Sequence, residues 1–270
     1  MDVYGYFLQN GAVPDDIVLT RSNSEFKDWG QRALWECATK GHIKQLEFML
    51  NCGIQVNALV EVPHILHEKL TLLHRDSYCG QVEVVRFIAN RGADINIRDA
   101  NNNNNNNTAL HLVAESGSVD IINLLLEKGM SVNVTNTNDS TPLHVSAQFG
   151  NIEATKDLVE TGVAINYTNK SGVTALMVAA HCGKLENFCY LTEMGADINI
   201  RNNKNNNTAL HYAAGSGSLD IIKLLLGKGM SAKLSNKDGF TPLHVSTKFG
   251  LLKTTKYLVG SGAAINNTNK

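Results

Sequence analysis

In Val119-Asp-Ile-Ile-Asn-Leu-Leu-Leu126 the apolar side chains recur at helical spacing, and Gly129 stands where a left-handed C-terminal cap is wanted. The pattern predicts a helix that ends at that glycine. Thr141-Pro142 supplies a side-chain oxygen for the free N–H groups of a helix start and a proline whose fixed φ suits the first helical position. A second short helix is therefore predicted from there toward Gly150. Stretches such as Gly195-Ala-Asp-Ile-Asn-Ile-Arg201 carry no helical stripe and suit an extended loop or β-hairpin. Two helices this short cannot bury their apolar faces alone, so each pair must stack on its neighbours.

The same pattern returns along the chain about every 33 residues. Its starts are Thr71 (TLLH), Thr108 (TALH), Thr141 (TPLH), Thr174 (TALM), Thr208 (TALH) and Thr241 (TPLH), with a degraded copy at Arg32 (RALW). Each start is followed in fixed register by one glycine (Gly41, Gly80, Gly117, Gly150, Gly183, Gly217, Gly250) and then a second (Gly53, Gly92, Gly129, Gly162, Gly195, Gly229, Gly262). A longer duplication lies over this period. Residues 108–170 align with 208–270 without a gap, and 38 of the 63 positions are identical.

T-P-L-H, the paired glycines, I-I-x-L-L-L and G-A-D-I-N at these offsets resemble the ankyrin repeat, over roughly residues 28–270. The resemblance implies an all-α ankyrin repeat solenoid of stacked helix-turn-helix units with projecting β-hairpin loops. It implies an array over 32–270, with starts near 32, 71, 108, 141, 174, 208 and 241, preceded by an N-terminal cap or degenerate repeat over 1–31. It further implies no enzyme activity and no cofactor, and a protein-protein interaction module that binds its partner on a concave surface. In that family the hairpin tips and the last residues of the first helix touch the partner. Those offsets here give Trp29, Tyr78, Gln148, Phe149, His181, Lys237, Phe240, Lys248 and Phe249. The aromatic residues among them are the natural anchors.

Two interruptions stand out. Ala58 to Leu70, with Pro63, is longer than the usual connector, and Asn101–Asn107 is a run of asparagines echoed by Asn202-Asn-Lys-Asn-Asn-Asn207. The run is expected to be a mobile, tolerated loop tip.

Composition then removes alternatives. Of 270 residues, 43% are hydrophobic and only 6% aromatic, enough for a stacked core but with few large anchors. No apolar run reaches the roughly 20 residues of a membrane span, and the opening MDVYGYFLQNG lacks a secretory signal's basic start, so a cytoplasmic, monomeric protein is expected. The five cysteines are scattered without a C-x-x-C spacing, which points to small buried thiols rather than disulfides or a metal site. His74, His111, His144, His211 and His244 recur once per unit, a pattern suited to a repeated hydrogen-bond bridge and not to one active site. His64 and His67 have no acidic or thiol partner at metal-ligand spacing. No phosphate loop, nucleophile elbow or motif-bound carboxylate pair is present.

Charge separates the two duplicated blocks. Residues 108–170 hold seven acids against three lysines, a net of −4; residues 208–270 hold two acids against eight lysines, a net of +6. A partner with an acidic surface facing the C-terminal repeats is expected, whereas nucleic acid is not, because the lysines lack interleaved arginines and stacking aromatics. The alternative is the recognition arm of a longer enzyme, toxin or channel. The C-terminal Thr268-Asn-Lys270 repeats the internal Thr168-Asn-Lys170 with no capping helix after it, which favours that longer parent.

Overall fold

The computed structural model describes residues 24–61, 69–100 and 105–263, which fall into two compact units, residues 1–130 and 131–270. Among the described residues, unit 1 holds three helix pairs: α1 (Ser24–Thr39) with α2 (Ile43–Asn51), α3 (Leu72–Tyr78) with α4 (Val82–Asn90), and α5 (Ala109–Ser116) with α6 (Val119–Glu127). Unit 2 holds four pairs: α7 (Pro142–Phe149) with α8 (Ile152–Glu160), α9 (Ala175–Cys182) with α10 (Leu185–Glu193), α11 (Ala209–Ser216) with α12 (Leu219–Gly227), and α13 (Pro242–Lys248) with α14 (Leu252–Gly260). First helices pack on first helices, as α9 does on α7 and α11, and second helices on second helices. Residues 1–23 of the expected cap lie outside the described residues, and α1 runs unbroken through residues 31 and 32.

The threonines start the helices by a reciprocal bond. Thr71 Oγ1 accepts the backbone N–H of His74 at 3.3 Å, while His74 Nδ1 accepts the N–H of Thr71 at 3.3 Å. Thr108, Thr141, Thr208 and Thr241 form the same box with the histidine three residues on. Histidine thus takes the place that glutamate or glutamine usually fills. Thr174, followed by Met177, keeps only the first half, at 3.3 Å. The other ring nitrogen reaches the next repeat: His74 Nε2 lies 3.0 Å from the Ile97 carbonyl, His144 Nε2 3.0 Å from Val173 and His211 Nε2 3.1 Å from Phe240. This is the bridge that a once-per-unit histidine predicts.

Second helices close on glycine. Gly129 takes φ 95°, which lets Met130 N–H reach the Leu125 carbonyl at 3.1 Å and its own N–H reach Leu126 at 2.9 Å. The apolar stripes are buried: Ile121, Ile122 and Leu125 in unit 1, and Ile222, Leu225, Phe188 and Leu191 in unit 2, have almost no exposed surface. One polar chain crosses the core of unit 2. Asn187 Nδ2 donates to Thr155 Oγ1 at 2.7 Å, which donates to Ser146 Oγ at 2.9 Å, so each group is satisfied.

The hairpin loops are held as much by side chains as by strand pairing. Asn136 N–H donates to the Ser140 carbonyl and its Oδ1 accepts from Asn138 and Ser140; Asn169 and Asn236 repeat this closure. Strand pairing among the described residues includes a Thr168–Thr174 bridge and the strands β1 (Val60–Glu61) and β2 (Lys69–Leu70), which form the stem of the long connector. Pro63, His64 and His67 lie outside the described residues. The two asparagine-rich loops share one closure. Asp99 bonds twice with Asn107 as Asn202 does with Asn207, Asn106 and Asn206 take positive φ (50° and 57°), and Arg98 and Arg201 each donate to the carbonyl of that asparagine. Asn101 to Asn104 lie outside the described residues.

Candidate functional site

The final residues of the first helices α3, α7, α9 and α13 are exposed. In unit 1 that residue is Tyr78, 49% exposed, at the end of α3. Trp29 belongs to α1 by its backbone, and its side chain lies outside the described residues. The remaining candidates belong to unit 2. Gln148 and Phe149 end α7, with Phe149 44% exposed; His181 sits in the last turn of α9; Lys248 and Phe249 end α13, with Phe249 61% exposed. Rings this open at helix ends are exposed apolar surface.

Lys237 and Phe240 lie in the loop before α13. Lys237 is exposed, while Phe240 is half-buried with its ring edge-on to His244 at 5.7 Å, so Phe240 packs within its own repeat as much as it presents a surface. Lys237 and Lys248 make no ion pair among the described residues. Lys223, on the second-helix side, differs: its ammonium pairs with Asp220 at 3.1 Å. Lys253 and Lys256 are exposed on α14.

Several neighbours completing this surface were not among the sequence candidates. Consecutive loop tips of unit 2 are tied by backbone bonds, Lys170 N–H to Asn138 at 3.0 Å, Asn203 N–H to Ser171 at 2.9 Å and Lys237 N–H to Asn205 at 3.0 Å. Exposed Lys170, Lys204 and Lys237 therefore stand on one connected rim. The signal in the sequence was a lysine in three successive loops, which a tally by duplicated block hides, since Lys170 falls in the acidic copy, Lys237 in the basic copy and Lys204 in neither. Tyr212 is the second omission. Its ring stands edge-on to His181 at 5.8 Å, and its hydroxyl accepts from Asn202 Nδ2 at 3.1 Å. Burial raises the Tyr212 hydroxyl's pKa, and the Asn202 bond pulls it back.

The cysteines correct one expectation. Cys37 is buried, but Cys79 and Cys182 are exposed, because both fall at the end of a first helix where side chains leave the stack. Among the described residues no three His, Cys, Asp or Glu side chains gather as metal ligands, and no helix is long and apolar enough to cross a membrane. Unit 1 also holds an unusual carboxylate. Asp76 is fully buried on α3, 3.3 Å from the Arg75 guanidinium, which itself lies over Trp35 at 4.9 Å. Its second oxygen has no hydrogen-bond partner, and burial pushes the carboxyl up to about 7 against the lowering pull of Arg75.

The family model for ankyrin repeats, a three-repeat pattern, matches residues 61–136, 131–202 and 195–269. The chain is an ankyrin repeat protein. Its ankyrin repeats are 32% identical over 102 residues to the Notch-regulated ankyrin repeat-containing protein of Xenopus tropicalis, a stretch covering 36% of this chain and 81% of that protein. They are 30% identical over 102 residues to ankyrin repeat and SOCS box protein 5 of Oryctolagus cuniculus, covering 38% of this chain and 28% of that protein. A shorter stretch of 56 residues is 46% identical to protein fem-1 homolog A-like of Mus musculus, 21% of this chain and 8% of that protein. The matched stretch thus spans well under two thirds of the rabbit and mouse proteins. Ankyrin repeats are generally protein-protein interaction modules without catalytic activity.

Proposed function

We propose that this chain is a scaffold, adaptor or targeting module that binds a protein partner through its first-helix ends and loop tips, with an acidic partner surface against the C-terminal repeats. Exposure of Tyr78, Phe149 and Phe249 at equivalent helix ends supports this reading most directly, since rings are the usual anchors of protein interfaces. Exposed Lys237 and Lys248, neither in an ion pair among the described residues, favour an acidic surface. The proposed array runs from residue 32 to 270 behind an N-terminal cap, in a cytoplasmic, monomeric protein. A second reading, the recognition arm of a longer protein, is favoured by relatives in which the matched stretch is 28% or 8% of the whole. Affinity capture with the full chain as bait tests the first reading. The partner captured by the parent is expected to be lost with Tyr78→Ala/Phe149→Ala/Phe249→Ala and kept with Lys253→Glu/Lys256→Glu. Loss with the second variant and retention with the first would overturn the proposed face.

A further inference from the structure

Three lysines of unit 2 share one offset. Lys170, Lys204 and Lys237 each lie four residues before the threonine that opens the next first helix, Thr174, Thr208 and Thr241, and all three are exposed. The equivalent residue before Thr141 is Thr137, so the row occupies the last three loops of the unit. Within those loop tips, residues 169–173, 202–207 and 236–240, the one acid is Asp238, exposed beside Lys237.

The loops that carry the row make one turn and are locked to one another. Asp139, Gly172, Asn206 and Gly239, each two residues before its threonine, all take a positive φ, of 55°, 72°, 57° and 80°. Gly, Asn and Asp are the residues that tolerate this conformation best. Backbone bonds join Asn203 to Ser171 and Lys237 to Asn205. A β-carbon at Gly172 would collide with the Asn203 backbone, so those two tips touch with no room for a side chain between them. Lys170 Nζ donates to the Thr137 carbonyl one loop back, and Arg201 Nη1 donates to both Asn206 and Ser235, fastening the last two loops together.

Tips tied in this way hold their lysines at a restricted spacing. Residues joined by a backbone hydrogen bond have Cα atoms about 5–6 Å apart, and consecutive Cα atoms are about 3.8 Å apart. Lys204 and Lys237 therefore lie within about 10 Å of each other, and Lys170 and Lys204 within about 14 Å. Stacked helices are about 8–10 Å apart, which sets a pitch near 10 Å. An extended chain advances about 3.3 Å per residue, so every third residue keeps step with the row.

We propose that this rim binds an extended segment of a partner protein with Asp or Glu at every third residue, laid across the loop tips with one carboxylate at each of Lys170, Lys204 and Lys237. An exposed ion pair is weak by itself and weaker in salt. Selectivity comes from three pairs that a single extended segment can satisfy at once, because the second and third pairs form within one complex. Asp238 opposes the carboxylate nearest Lys237. The rim rests on the protein-binding reading above and names the partner chemistry of its loop tips.

Two fluorescein-labelled dodecapeptides test the rim, one with glutamate at every third position and serine between, the other an isomer with its four glutamates adjacent. Each is titrated against the full chain at low salt by fluorescence anisotropy. The spaced peptide is expected to bind at least about fivefold tighter than the clustered one and to lose about tenfold with Lys170→Gln/Lys204→Gln/Lys237→Gln. Lys204→Gln alone should lose about threefold, which keeps the test decisive if the triple variant melts early, and Asp238→Asn should gain about twofold. Lys223→Gln/Lys253→Gln/Lys256→Gln removes as many charges from second helices and should leave affinity within about twofold. Carbodiimide coupling and mass spectrometry should join the spaced peptide to the rim lysines in preference to Lys253 and Lys256. Equal affinity for the two peptides, no binding of either, equal loss with the second-helix variant, or tighter binding of a single-stranded oligothymidylate of equal charge would overturn the rim. A captured protein partner that is kept by the rim triple variant but lost with Tyr78→Ala/Phe149→Ala/Phe249→Ala would overturn it while leaving the protein-binding reading in place.

Discussion

His74, His144 and His211, each buried after an opening threonine, make two bonds that require the neutral ring: Nδ1 must keep its lone pair for the threonine N–H, and Nε2–H must donate to a carbonyl in the next loop. Burial lowers His74, His144 and His211 to about 4, with the carbonyl bonds pulling the other way. A folded value below the unfolded 6.5 means that their stabilisation is whole above about pH 6.5 and is lost as pH falls toward 4. His144→Met, copying Met177, should therefore weaken the protein at pH 7 yet remove about 1.4 kcal/mol per pH unit from the acid slope in that window. Urea unfolding at pH 7, 6 and 5 measures it, and an unchanged slope would refute the neutral-ring account. Asp76 has the opposite sign. Its folded value of about 7 lies above 3.8, so its native cost grows as pH rises through that interval and is nearly absent at pH 4. Equivalent sites carry Ala179 and Ala213, so Asp76→Ala should stabilise unit 1 by on the order of 2 kcal/mol at pH 7.5, with the gain shrinking toward pH 4. Hydrogen exchange in α3 and α4 localises the change.

At the scale of the element, stability comes from second helices buried between neighbours. Leu125 and Leu225 have no exposed surface, and truncating either to alanine should cost about 2–5 kcal/mol in urea unfolding. A cost below about 0.5 kcal/mol, the range of a neutral surface change, would show that the stripe is misplaced. The asparagine run has a finer prediction. Asp99 to Asn107 closes with the same bonds as the shorter loop Asn202 to Asn207, so deleting residues 102–104 gives both loops one length and should leave melting nearly unchanged. Removing Asn106 and Asn107 as well takes away the acceptor for Arg98 and the partner of Asp99, and should lower melting. The helices were legible in the sequence because threonine, histidine and glycine recur in fixed register with each apolar stripe. The loop closures were less so. An asparagine that holds a turn and an asparagine that merely lengthens it are the same letter, and only the bonds at Asn107, Asn136, Asn169 and Asn236 tell them apart. Of the candidate surface, the exposed helix-end residues Tyr78, Phe149 and Phe249 could be located by offset alone. Phe240 could not, because it is half hidden by a contact with His244 that no spacing reveals.

Across the whole molecule the overall charge is −1, yet the duplicated blocks carry −4 and +6. Net charge acts on encounter rate more than on fold, and its effect falls with salt over a Debye length of about 8–10 Å. Position then decides whether the basic block steers a partner or is only a solvated face. Lys237 and Lys248 lie at a loop tip and a first-helix end, exposed and without ion pairs among the described residues; Lys223, Lys253 and Lys256 lie on second helices, and Lys223 is already matched by Asp220. Reversing Lys237 and Lys248 to glutamate should slow association with the captured partner by about tenfold at low salt and flatten its salt dependence. Reversing Lys223, Lys253 and Lys256 should change the rate much less, although it moves more charge. Thr137 and Gln148 hold the matching offsets in the acidic block, so lysine at those two positions should leave association largely unaltered. Stopped-flow or surface-based association rates at two salt concentrations, with melting curves for every variant, make the comparison. Equal slowing by the inner and outer sets would sink face-specific steering and leave a general attraction between net charges. No slowing by either set would mean that the charge difference between the two blocks plays no part in recognition.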